Sequence, residues 1–196
     1  VPDLDILTEG LGEEYKILQV AQKTHPMGMG VHHNATHALI DLVTTNDIDH
    51  EDIRKVTIGY KPKTLFYPTY YKERRILECY HVYPFVMAIA LMEKEVICSL
   101  PNFITHIEED ELHKETLALM NKIKFEDIGV PGQKKLWPGP GIGAVVIIET
   151  NDGKLHKNTL KYHRGHYENP FSHKELRDKF RMFATMVMEE SQVNEI

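Results

Sequence analysis

KTHPMGMGVHHNATHALIDL, running from Lys23 to Leu42, carries one lysine and four of the chain's 12 histidines (His25, His32, His33 and His37) around a Pro-Met-Gly-Met-Gly turn. The turn leads into an apolar pattern of helical spacing. His33 and His37 stand at i and i+4, which puts both on one face of a helix. A helix starting near Asn34 sets its first-turn N–H groups and positive dipole end beside His33, where an anion is stabilised. A lysine, a histidine and a helix N-terminus converging on one glycine-lined turn suit a substrate carboxylate and a proton to be moved. The plainer reading of the same residues is that the glycines only turn the chain and the histidines are solvated or cap the helix.

Outward from this stretch, residues 1–12 read as a linker or helix tail broken by Gly10 and Gly12, and Tyr15–Ala21 reads as a short strand leading into Lys23. Ala35, Leu39, Ile40, Leu42 and Val43 predict a helix over roughly His33–Thr45. Asp49 gives a further start signal, and Val56, Ile58 and Tyr60 alternate as in a half-buried strand. Pro62 and Pro68 bracket an aromatic loop. Glu78–Glu93 is apolar nearly all round, as a buried helix is. Pro101–His106 reads as a loop or short element, Asp110–Lys122 as an amphipathic helix and Ile123–Phe125 as a short strand. Beyond the proline- and glycine-rich stretch Val130–Gly143, which holds Trp137, the segments Ala144–Glu149 and Lys154–Tyr162 flank an Asn-Asp-Gly hairpin signal. Ser172 followed by Glu175 is a capping box, opening a helix expected to reach about Glu190. Strands and helices mix without a βαβ repeat, so the fold class is α+β.

With 42% hydrophobic and 27% charged residues, the composition is that of a soluble globular protein. No apolar run spans a bilayer and no signal-peptide pattern opens the chain, so the expected location is cytoplasmic, away from membranes. Cys79 and Cys98 form no framework and no CxxC pair, which fits reduced thiols. A net charge of −6, with no basic face, argues against nucleic acid. The chain opens on Val1, as a fragment or processed product does.

Three constellations compete for chemistry. His32, His33 and His37 could hold zinc, although Asn34 stands where the helical metalloprotease pattern has glutamate. The Pro-Gly-Pro-Gly-Ile-Gly run at 138–143 lacks the lysine and Ser/Thr of a phosphate loop and reads as a turn. Tyr80, His81 and Tyr83 open the buried helix, either facing a cleft or packing as ordinary aromatics; Lys72, Arg74 and Arg75 read as a solvated loop, although a carboxylate substrate could use one of them.

Several stretches, in order, resemble the C-terminal half of the MmgE/PrpD family, which includes 2-methylcitrate dehydratase, cis-aconitate decarboxylase and iminodisuccinate epimerase. They are Lys23-Thr-His-Pro26, His33-Asn-Ala-Thr-His37-Ala-Leu-Ile-Asp41, the strand Ile53–Ile58, the buried helix Glu78–Met92, and the close. That close is the most specific part: Asp152-Gly153, then Gly165-His-Tyr-Glu-Asn-Pro170-Phe-Ser172, Glu175-Leu and Lys179-Phe180.

The resemblance implies a two-part fold, a large all-helical domain with an α+β domain inserted before its closing helix. Residues 13–164 correspond to the α+β domain, and residues 165–196 to a helical segment that packs on the helical domain, absent here. It implies a cofactor-independent lyase half acting on a small di- or tricarboxylic acid, most nearly of the 2-methylcitrate dehydratase type, with neither metal nor organic cofactor. Lys23 and His33 take the catalytic positions, and His37, His32 and Tyr83 are candidates for binding substrate. A homodimer and the helical domain are the expected partners, and the chain alone is expected to lack turnover. The rival from another class is a non-catalytic binding or assembly module, and an inactive, divergent member of the family is a further alternative. Two departures stand out. Extra residues from Met27 to about His32 lengthen the active-site loop, so that His32 competes with His33. The family's Arg-x-Ser-Leu-Pro-Tyr is here Tyr80-His81-Val82-Tyr83-Pro84-Phe85, losing a serine and a tyrosine hydroxyl.

Overall fold

The computed structural model describes residues 8–13, 15–22, 32–59, 79, 82–95, 100–126, 128 and 143–195. Lys23, His25, the aromatic loop after Pro62, Lys72, Arg74, Arg75, Tyr80, His81, Cys98, Trp137 and the prolines of 138–142 lie outside the described residues. In chain order the elements are α1 (His33–Asn46), β1 (Ile53–Ile58), α2 (Tyr83–Glu93), α3 (Leu100–Glu108), α4 (Asp110–Lys122), β2 (Ile123–Phe125), β3 (Ala144–Thr150), β4 (Leu155–Leu160), α5 (His173–Ala184) and α6 (Glu190–Asn194). The sheet order is β2-β1-β3-β4, with β2 parallel to β1 and the other pairs antiparallel. This is the α+β architecture that the sequence predicts.

Register decides which face is covered. Val56 pairs with Ile123 and Ile148, Ile58 with Phe125 and Val146, and Ala144 with Leu160. Alternation puts these side chains on one face, where they pack with Leu39 and Val43 of α1, Phe85 and Met87 of α2 and Leu119 of α4. Lys55 and Glu149 point the other way. There the pairs Lys55–Glu126 and Arg54–Glu149 form at partly exposed positions, each worth little to stability. β1 is more covered than half-buried alternation predicts: Thr57 is buried along with Val56 and Ile58.

α2 is buried nearly all round as expected, and Phe85 meets Phe103 edge-to-face at 5.9 Å. The segment Pro101–His106, read as a loop or short element, lies within the short helix α3. Pro101 sits in its first turn, where a missing N–H loses no intrahelical bond, and Phe103 and Ile107, one turn apart, face the core. Buried His106 ties three helices together, with Nε2 2.7 Å from Glu93 Oε1 and Nδ1 2.8 Å from Thr116 Oγ1.

Two further expectations are corrected. Tyr15–Ala21 holds a 3-10 turn at Lys16–Gln19 in place of a strand. Ile17, Leu18 and Val20 are exposed, and strand propensity without a paired neighbour does not make a ladder. The last helix keeps its capping box but stops at Ala184, short of Glu190. Val187 N–H donates to Ala184 O in a tight turn, and Glu189 with Gln192 forms a second capping box that starts α6. No helix among the described residues is long and apolar enough to cross a membrane.

Removing the Phe85 ring leaves a cavity where helix meets helix. We expect Phe85→Ala to cost about 3–5 kcal/mol, read as a lowered midpoint in chemical denaturation.

Candidate functional site

The N-terminal half of α1 is buried on every side: His32, His33, Asn34, Thr36 and His37 all have under one-tenth of their surface exposed. The i, i+4 spacing delivers what it predicts, since the His33 and His37 rings lie parallel with centroids 6.3 Å apart. His163, just after β4, meets both edge-on, at 5.2 Å from His33 and 5.8 Å from His37. His166 in turn meets His163 edge-on at 5.8 Å. His32 goes elsewhere and lies against Tyr83 of α2, ring centroids 3.4 Å apart. The structure therefore divides the candidates: His33 and His37 stand together, His32 and Tyr83 form a separate pair, and Lys23 is outside the described residues. Phe85 is a core ring against Phe103, and Val82 is also buried.

The segment Tyr162–Ser172 places His163 and His166. Arg164 N–H donates to His37 Nδ1 at 3.0 Å, and His163 Nδ1–H donates to Arg164 C=O at 2.7 Å. Glu168 N–H donates to His166 Nδ1 at 3.1 Å. The Arg164 guanidinium grips both carboxylate oxygens of Glu175, with Nε 2.7 Å from Oε1, and Nη1 donates to Asn169 Oδ1 at 2.9 Å. Gly165 turns the chain at φ +90°, and a Cβ there would lie 2.5 Å from Gln22 O and 2.8 Å from Phe171 Cε2. Only glycine fits. Gln22 N–H closes this contact by donating to Gly165 O at 2.7 Å.

Burial sets the charge state of the rings. It pushes His32 from 6.5 down to about 3. Burial also lowers His163, with the Arg164 carbonyl opposing and His166 adding to the fall, and it lowers His166. Outside the cluster the sign reverses. The Arg164 guanidinium, then the Ser172 hydroxyl and N–H, hold Glu175 at about 2, and Glu175 raises Arg164. Neutral imidazoles in a desolvated setting can accept, donate or pass a proton. Among the described residues no three His, Cys, Asp or Glu side chains are placed to hold a metal ion together. With His32 turned to Tyr83, the zinc reading of His32, His33 and His37 has no geometry behind it.

His163 and Arg164 are not among the sequence candidates, and His166 enters there only within the Gly165–Ser172 motif, without a site role. The family model for the MmgE/PrpD C-terminal domain matches residues 25–196. No curated protein matches the chain.

His32 titrates far below its unfolded value of 6.5, so the unfolded chain binds the extra proton first as pH falls. Its contribution is complete above pH 6.5 and is lost progressively from there down to about 3. The expected slope from this residue is about 1.4 kcal/mol per pH unit, measured as unfolding free energy against pH. His32→Gln should flatten that part of the curve.

Proposed function

The chain belongs to the MmgE/PrpD family as its C-terminal domain, and from that premise we propose that it is one half of a cofactor-independent lyase for a small di- or tricarboxylic acid, of the 2-methylcitrate dehydratase type. The observation that carries this reading is the desolvated histidine cluster built on the N-terminal turn of α1. In this reading His33 exchanges the proton next to a substrate carboxylate, because a histidine works as acid or base near neutral pH. Lys23 and the α1 N-terminus supply positive charge for the substrate carboxylates and the developing enediolate. His37, His32 and Tyr83 are assigned to binding the substrate. A cytoplasmic location belongs to the same proposal.

The family's helical domain is the partner we assign to α5. Leu176, Phe180, Phe183 and Met188 line an apolar groove of about 500 Å³, and Leu176, Phe180, Met186 and Val187 are exposed. Such a patch is unusual on a surface left in water. A homodimer completes the proposed assembly. The competing readings are a non-catalytic assembly module and an inactive, divergent member of the family; the latter draws on Val82 and Phe85, which place no hydroxyl where the resembled pattern has two.

The test uses the chain joined to the helical domain and citrate-like substrates. His33→Ala should lower turnover by roughly two to four orders of magnitude. Lys23→Ala should raise KM and lower turnover together, since a cation on a carboxylate acts in both ground and transition states. His32→Ala should have little effect. A crippled His32→Ala beside a nearly silent His33→Ala would show that the longer loop has shifted the catalytic role to His32. Absence of turnover in every assembly would favour the assembly module.

A further inference from the structure

The hydrogen bonds of one residue fix the protons of two site histidines in opposite senses. A backbone N–H can only donate, so the bond from Arg164 N–H leaves His37 Nδ1 unprotonated and its proton on Nε2. A carbonyl can only accept, so the bond to Arg164 C=O requires the proton of His163 on Nδ1, which leaves Nε2 as a lone pair. His37 thus offers a donor and His163 an acceptor, on rings 5.8 Å apart and both beside His33. By the same reasoning His166, whose Nδ1 accepts from Glu168 N–H, carries its proton on Nε2. That nitrogen is buried and has no hydrogen-bond partner among the described residues, a donor of the kind that an incoming oxygen satisfies.

We propose that Arg164 is a positioning residue of the histidine site: its main chain presets His37 as a donor and His163 as an acceptor, and its side chain, locked to Glu175 and Asn169, holds that main chain in place. The side-chain contacts explain why a loop can do this. Arg164 grips Glu175 through both carboxylate oxygens and also reaches Asn169. Glu175 is itself fixed by the Ser172 N–H and hydroxyl at the start of α5. Asn169 closes the loop through Tyr162 O, and its N–H donates to His166 O. The capping box of α5 is thereby wired to the tautomers of two rings. A site with its protons already distributed reorganises less when charge develops on a substrate. The catalytic consequence rests on the reading that this cluster is the reaction site; the tautomer assignment does not.

The experiment is nitrogen-15 NMR of histidine-labelled 196-residue chain near neutral pH, where each ring shows which nitrogen bears the proton. The expected result is His37 protonated on Nε2 and His163 on Nδ1. Free neutral imidazole side chains favour the Nε2 tautomer, so Arg164→Ala should move His163 to Nε2 and leave His37 nearly unchanged. Arg164→Lys should restore part of the His163 signal. His113, whose Nδ1–H donates to His106 O among α3 and α4, is the internal control for an intact fold and should not change. His163 protonated on Nε2 in the native chain, or unchanged in Arg164→Ala with His113 intact, would overturn the proposal. In the assembled enzyme Arg164→Ala should lower kcat by up to roughly 100-fold with KM little altered. A rise confined to KM, with kcat unchanged, would overturn the positioning role. Absence of turnover in the unsubstituted assembly counts against the lyase reading alone, and the tautomer arm still decides this one.

Discussion

The amide proton of Arg164 is spent on a ring nitrogen 127 positions earlier in the chain, and few other bonds in this fold join parts so distant. For that amide to reach His37, the chain leaving β4 has to fold back over the start of α1. Gly165 makes the bend with a positive φ that a side chain would strain, at a spot where Gln22 and Phe171 leave no room for a Cβ. Asn169 ties the far end of the bend to Tyr162, and Ser172 with Glu175 turns it into α5. Breaking the Arg164–His37 bond exposes the protein to the cost of an unmet buried polar group, about 1–3 kcal/mol, and frees the loop that carries His163 and His166.

Burial and charge are divided across this loop in a consistent way. The rings toward α1 are desolvated, and burial holds His32, His163 and His166 neutral at neutral pH. The charges that hold the loop, Arg164 and Glu175, sit toward solvent, where about a third of each side chain is exposed and full ionisation costs little. A guanidinium buried among the histidines would have suppressed any proton transfer to them. Set one residue away, it acts through the main chain.

Much of the scaffold is legible in the sequence because local signals and tertiary demands agree there. α4 and β2 fall where periodicity puts them, the Asn-Asp-Gly turn joins β3 to β4, and the Ser172–Glu175 capping box starts α5. Elsewhere the local signal does not decide. Pro101 leaves loop and short element both open because the first turn of a helix tolerates proline, and β-branched Ile17 and Val20 suggest a strand that finds no partner among the described residues. The site was half legible. His33 and His37 announce themselves by spacing on one helix. His163 and His166 join them only through the fold, by a main-chain bond that no local pattern encodes, and the divergence of His32 toward Tyr83 depends on how α2 crosses α1.

The most direct measurement is hydrogen exchange at the backbone amide of Arg164. An amide bonded to the ring of buried His37 should exchange about as slowly as the central amides of β1 and β3, although it lies outside any helix or strand. Exchange at the rate of an exposed loop amide, with the strand amides still protected, would contradict the bond on which the histidine cluster depends.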